Sequence, residues 1–278
     1  MALLRLHVTA RRCIRPLGTR VSKPPRIGTC RLCLLPDQKL VESHIVPRSF
    51  FFPPGGPTGH VAVVSQSGVS KSPTGIYDHI LCERCEGSLS LCDRQAVRLA
   101  QLVSAGEPWI DGDGSLLGRT CGPEVRADLI KRFAQSVLFR AQVSTRPECA
   151  AVKLGPLEER LRQVILDGVD SEEFGVLVVT VADVLATPFL GFERVRLPDV
   201  LCWKFHVGGV AYYIKADRRP FPKVLRAIQV RAGMPVFAMH HETLNPRYAE
   251  RVGGMLNRHG DRIERIFGRA GKRTTREA

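Results

Sequence analysis

Cys30-Arg31-Leu32-Cys33 and, much later, Leu81-Cys82-Glu83-Arg84-Cys85-Glu86 are the stretches that decide how this chain folds. Each C-x-x-C pair has the spacing at which one turn directs two sulfurs at a single ion, and four thiolates close a tetrahedron around Zn²⁺. A closed set leaves no position for water, so this zinc is expected to hold structure and to do no chemistry itself. Small zinc modules gain about 10–16 kcal/mol of apparent binding energy, comparable to the stability of a whole domain. A redox dithiol is the other use of the motif, although a single pair suffices for it. With Cys13, Cys92, Cys121, Cys149 and Cys202 the cysteines number nine. An odd count with two tight pairs suits metal-bound thiolates in a reducing compartment better than a disulfide framework.

Working outward, residues 27 to 52 read as a hairpin that carries the first pair, turns at Leu35-Pro36-Asp37-Gln38 and returns along Lys39 to Ser43. A Pro- and Gly-rich loop runs from Pro53 to Gly59. His60 to Ser65 reads as a short strand, Ser67 to Thr74 as a loop, and Ile76 to Leu81 as a strand entering the second pair. The helix that follows has Leu89, Cys92, Ala96, Leu99 and Val103 on one face, so Cys92 is expected in the core.

The stretch from Gly106 to Pro123 is rich in Gly and Asp and reads as a linker. Val125, Leu129, Ile130, Phe133, Val137, Leu138 and Ala141 define an amphipathic helix, and Leu157, Leu161, Val164 and Ile165 a second, started by Gly155-Pro156. Strands are expected over Val176 to Val181, Val200 to Val207, Val210 to Lys215 and Met234 to Met239, with Gly208-Gly209 as a hairpin turn. A closing helix carries Tyr248, Val252, Met255, Leu256, Ile263, Ile266 and Phe267.

The expected class is α+β. A zinc-stabilised ββα module, treble-clef-like, precedes a helical segment and a mainly antiparallel β unit with a C-terminal helix. The corresponding divisions are a flexible basic arm over 1–26, the zinc module over 27–104, a linker over 105–122, an α+β domain over 123–268 and a basic tail over 269–278.

The chain has 278 residues, 44% of them apolar, and 41 Lys and Arg against 27 Asp and Glu give a formal charge of +14. That balance favours a polyanionic partner, nucleic acid first. A basic surface kept for solubility, or an arginine-rich coding bias, gives the same balance. No apolar run approaches the ~20 residues that cross a bilayer, so no membrane partner is expected. Arg5, Arg11, Arg12, Arg15, Arg20, Lys23 and Arg26 precede the first acid, Asp37. Such a segment imitates an organellar targeting peptide, and a flexible arm or an over-extended start on a cytoplasmic protein explains it equally well.

Between the cysteine pairs lies Val41-Glu42-Ser43-His44-Ile45-Val46-Pro47, and Glu86 follows the second pair at the start of a helix. This order resembles the zinc-bearing HNH endonucleases of the ββα-metal family, and uncharacterised bacterial and phage proteins of that kind, over about Thr29 to Val103. The resemblance implies Mg²⁺- or Mn²⁺-dependent hydrolysis of phosphodiesters, DNA before RNA. His44 would be the general base, Pro47 matches the family's proline, Asp78 or Tyr77 falls near its central Asn, and Glu86 takes the place of its helical His or Asn. Two departures stand out. Ser43 occupies the position of the acid that precedes the histidine, and Glu42 lies on the opposite strand face. Asp78 is then the candidate for a second carboxylate beside Glu86, a hard-oxygen ligand. A histidine that only buttresses the zinc knuckle is the structural alternative for His44.

Arg247, Arg251, Arg258, Arg262 and Arg265, with Arg269, gather into one stripe on a continuous helix and form a candidate phosphate-tracking face. Glu250, Asp261 and Glu264 turn the same segment into an ordinary solvated surface if they pair with it, and Gly260 divides it if it breaks the helix. The functional readings are therefore an HNH-like nuclease, a zinc-stabilised nucleic-acid-binding module without hydrolysis, and a zinc-stabilised protein unrelated to nucleic acid.

Overall fold

In the computed structural model, which describes residues 25–51, 61–65, 68–72, 75–105, 118–180 and 190–240, the chain is α+β and builds two sheets. The smaller sheet holds β1 (Arg26–Gly28), β2 (Gln38–His44) and β5 (Tyr77–Cys82), paired antiparallel with β2 in the middle. Helix α1 (Glu83–Ala105) continues directly from β5 and folds back beside β2. Its expected stripe is core: Leu89, Cys92, Ala96 and Leu99 are all buried.

The larger sheet has eight strands. Four of them form its centre: β7 (Val176–Thr180), β8 (Leu190–Leu197), β9 (Val200–Val207) and β10 (Val210–Lys215). β8, β9, β10 and β7 are neighbours in that order, all antiparallel. β11 (Phe237–His240) runs parallel to β7 and is flanked by β6 (Gly118–Thr120). At the other end β3 (Val61–Ser65) pairs parallel with β8, and β4 (Gly68–Ser72) closes the edge. Every residue of β10 is buried, as a central strand covered on both faces requires, and the run Val210-Ala-Tyr-Tyr-Ile-Lys accordingly lacks alternation. Gly208 and Gly209 turn β9 into β10 with φ of 59° and 74°, the left-handed pair of a two-residue hairpin. A Cβ on Gly208 would lie 2.7 Å from the Cβ of Ala100, so the turn also docks closely on α1.

Three parts of the sheet depart from expectation. Residues 68–72, expected in a loop, are β4, and 118–120, expected in the linker, are β6. Both are edge strands, which need no two-sided apolar pattern, so periodicity does not announce them. β8 has two adjacent charges, Glu193 and Arg194, where strict alternation allows one, and carries a register shift between Leu190 and Glu193 that masks its period. The β3–β4 hairpin lies within the segment expected as the zinc module, yet it belongs to the larger sheet.

Helix α2 (Ala127–Val143) is the centre of the molecule. It packs against α1, α3 (Leu157–Asp167) and strands β7 and β10, and it is buried nearly all round, not on one face as the periodicity suggests. Its polar residues are therefore internal, and they are partnered: Lys131 with Asp170, Gln135 with the Phe174 carbonyl at 2.9 Å and Ser136 with the Phe133 carbonyl at 2.8 Å. Phe133 meets Phe50, Phe205 and Tyr212 with ring centroids 5.2–6.2 Å apart, joining α2 to the sheet. One continuous apolar core extends from Cys30 and Leu32 through α1 and α2 to β7, β9 and β10, and a second, smaller cluster lies on the sheet's far face beside α4 (Lys223–Ile228). Among the described residues no helix is long and apolar enough to cross a membrane. The expected C-terminal helix, with Arg247, Arg251, Arg258, Arg262 and Arg265, and almost all of the basic arm lie outside the described residues.

Candidate metal centre and adjoining polar cluster

Two local devices bring the four cysteines together. After β1 the chain turns through residues 31–33, the Leu34 amide bonds the Cys30 carbonyl at 2.9 Å and Leu34 adopts φ 61°, which curls Cys30 and Cys33 towards one point. Cys82 ends β5 and Cys85 lies in the first turn of α1, so a strand-to-helix junction presents the second pair. The Cys82 amide donates to the Cys30 sulfur at 3.3 Å, and the Arg31 amide to the Ile80 carbonyl at 2.9 Å, which locks the two devices together.

All four Sγ atoms lie within 4.8 Å of one another, and Cys33 and Cys82 are 3.9 Å apart. Tetrahedral thiolates about 2.3 Å from a zinc ion have sulfurs about 3.8 Å apart, so the set fits such an ion. The cysteines can therefore hold a metal. All eight described cysteines are free thiols. Burial pushes the Cys30 thiol up, but amides of Cys33, Cys82 and Leu32 outweigh it and bring it down to about 7. Burial and the neighbouring sulfurs push Cys85 up.

Helix α3 braces the first knuckle. Arg162 Nη1 donates to the Leu32 carbonyl at 2.6 Å, and Arg31 pairs with Glu158 at 3.6 Å. No sequence signal links these positions, which lie more than a hundred residues apart in the chain.

His44 is the last residue of β2 and stands opposite Tyr77, with ring centroids 6.0 Å apart. Glu42 is exposed and Ser43 fully buried, so the face reading of these two residues describes them correctly. Ser43 faces Glu86 of α1. Burial raises the Glu86 carboxyl above the usual range, the Arg140 guanidinium opposes that rise and Asp93 adds to it. The Glu86 Oε2 atom is buried without a hydrogen bond of ordinary geometry, and the Ser43 hydroxyl facing the carboxyl also opposes its rise.

Asp93 and Arg140 complete the cluster, and sequence reasoning missed both. Arg140 of α2 is 0% exposed, and its Nη2 reaches the Asp93 carboxylate at 3.2 and 3.3 Å, while Nη1 donates to the His44 carbonyl at 2.9 Å. Burial raises the Asp93 carboxyl, against the pull of Arg140 and of His44. Burial lowers Arg140, but Asp93 and Glu86 more than restore it, so the guanidinium stays charged. One signal was present: Asp93 follows Glu86 by seven residues, two helical turns, and so shares its face. None was present for Arg140, which reads as the polar side of an amphipathic helix.

Asp78 is otherwise engaged. Its Oδ2 accepts hydrogen bonds from the Thr145 amide at 2.8 Å, Thr145 Oγ1 at 2.9 Å and Ser144 Oγ at 3.1 Å, tying β5 to the end of α2. Burial raises this carboxyl, but those donors, Thr145 first, hold it below the usual range. Its share of stability is thus present above about pH 4 and lost as pH falls through the folded value. Asp78→Ala is expected to cost about 2 kcal/mol at neutral pH. In denaturant melts the gap to the unaltered protein should close in acid, and a gap that widens there would refute this role. Among the described residues, the four cysteines are the one group of three or more metal-ligating side chains that converges, and His44, Glu86 and Asp78 do not form another.

Compared with known proteins, the chain matches no family model, no curated protein and no solved structure.

Proposed function

We propose that this chain is a zinc-scaffolded hydrolase of nucleic-acid phosphodiesters, of the HNH type, with DNA as the first substrate class. The observation that carries the reading is the joining of His44 at the end of β2 and Glu86 in the first turn of α1 through one buried polar cluster beside the cysteines. The antiparallel pairing of β2 with β5 and the C-x-x-C at the β5–α1 junction support the ββα-metal reading, with the β3–β4 hairpin inserted between the two strands. Zinc fits the four thiolates and anchors β1, the β5–α1 junction and, through Arg162, helix α3.

For a second, hard ion the fit rests on Glu86, whose buried Oε2 atom makes no hydrogen bond of ordinary geometry. Mg²⁺ takes only one or two carboxylates and fills its other positions with water and phosphate oxygens. When bound, such an ion supplies positive charge at the leaving oxygen. His44 accepts the proton of the attacking water, Glu86 would hold the ion, and the Asp93 carboxyl lies within electrostatic reach of the imidazole. Basic residues draw the polyanion in, and the formal charge of +14 supports that partner.

One observation favours a second reading, binding without hydrolysis: the Arg140 guanidinium already supplies a positive charge between Glu86 and Asp93. Incubation of the zinc-loaded protein with single- and double-stranded DNA and RNA, in Mg²⁺, Mn²⁺ or EDTA, separates the two. Divalent-dependent cleavage that falls by about 100-fold or more in His44→Ala is the expected result. Cleavage that persists in the variant removes His44 as the base. Binding without cleavage selects the second reading, and the absence of both removes nucleic acid as the substrate.

A further inference from the structure

Arg140 links three of the elements around the cluster. It sits on α2, donates to the backbone of β2 at His44 and pairs with Asp93 on α1. The hydrogen-bonded carbonyl belongs to His44 itself, and the next amide, Ile45, bonds the Ile76 carbonyl at 2.9 Å. Both polar groups of the peptide that follows the histidine are thus held. Asp93, whose side chain is 17% exposed, interacts electrostatically with both the His44 imidazole and Arg140.

An arrangement of this kind is costly as a mere filler. Two charges are withdrawn from water, and apolar side chains of the same volume commonly stabilise a core as well or better. A guanidinium is, however, a rigid planar fork with fixed donor directions. The ion pair is buried and joined to the His44 carbonyl through Arg140, and that connection is what those properties suit.

We propose that Arg140, held in place by its ion pair with Asp93, is the positioning residue for His44: it fixes the peptide that follows the histidine and with it the end of the strand that carries the ring. The proposal rests on the reading of His44 as the working group of the site. Neither residue touches the reacting phosphate: Arg140 is wholly enclosed and acts through Asp93 and the His44 peptide.

The test uses full-length, metal-loaded protein labelled with ¹⁵N-histidine, in unaltered form and as Asp93→Asn, Asp93→Glu and Arg140→Lys. Zinc content and a cooperative melt establish that each variant is folded, and the His44 ring signals are assigned by their loss in His44→Ala. Asp93→Asn keeps the shape and removes the charge, and Arg140→Lys keeps the charge and removes the fork. Both are expected to move the His44 ring signals and to lower kcat on the order of 10-fold with KM little changed. Asp93→Glu is expected to restore both in part, and it carries the test if the asparagine variant fails to fold. Ring signals that coincide with those of the unaltered protein in folded, metal-loaded variants overturn the proposal. The ring signals are read without substrate, so displaced signals in a protein that cleaves nothing would sustain the positioning role and defeat the nuclease reading instead.

Discussion

Cys82→Ser is expected to abolish metal binding and, with it, the cooperative folding of the β1–β2–β5 sheet and the start of α1. The serine hydroxyl is a poor substitute for a thiolate, and three sulfurs leave the tetrahedron open. The apparent binding energy of such a site, about 10–16 kcal/mol, equals or exceeds the 5–15 kcal/mol by which domains are stable at all. The effect is therefore loss of a folded unit and not a shifted midpoint. It should spread, because Arg162 of α3 bonds the Leu32 carbonyl inside the first knuckle and the apolar core runs unbroken from Cys30 into α2. Elemental analysis should find about one zinc per chain in the unaltered protein and almost none in the variant. A strong chelator should reproduce the loss, and added zinc should reverse it. A metal-free protein that melts at the same temperature as the loaded one would refute the scaffold role.

Arg140→Met is the second large effect, expected at about 3–5 kcal/mol, because it strands Asp93 and Glu86 in a buried site without their counter-charge. The pair as a whole is another matter. With Asp93→Leu added, the charge left behind disappears and much of the loss should be recovered, which a double-mutant cycle in denaturant measures. The pH dependence has a definite sign. Burial holds both carboxyls above their usual range in the folded state. Folded protein therefore binds those protons more tightly than the unfolded chain, so their contribution is full below about pH 4 and is lost as pH rises through the raised values. Arg140 opposes the raising, and its removal enlarges it. The deficit of Arg140→Met should accordingly be greater near about pH 7 than near about pH 5, and the comparison at each pH cancels the acid sensitivity of metal binding common to both proteins. A deficit that grows in acid would contradict a role in balancing these carboxylates.

The sequence and the structure agree where one element decides the outcome. The hairpin after Ile27, the strand into Cys82, the apolar stripe of α1 and the Gly208-Gly209 turn are local: a spacing, a periodicity or a backbone angle fixes each. β4, β6 and β8 were not legible in this way, since an edge strand or one with a register shift is defined by its partner.

The site divides along the same line. Two C-x-x-C pairs by themselves determined that four sulfurs would converge, because thiolate chemistry leaves few other uses for that spacing. His44 and Glu86 were marked by their order around those pairs. Which acid joins them was decided only by tertiary structure. Asp78 was the candidate nearest in the motif, but Ser144 and Thr145, from the far end of α2, take its carboxylate. Asp93 takes part in the cluster instead, where burial raises its carboxyl and an arginine 47 residues away, enclosed beside it, opposes that rise. A buried charge is settled by what surrounds it in three dimensions, and that neighbourhood is assembled from segments between which the chain itself carries no local signal.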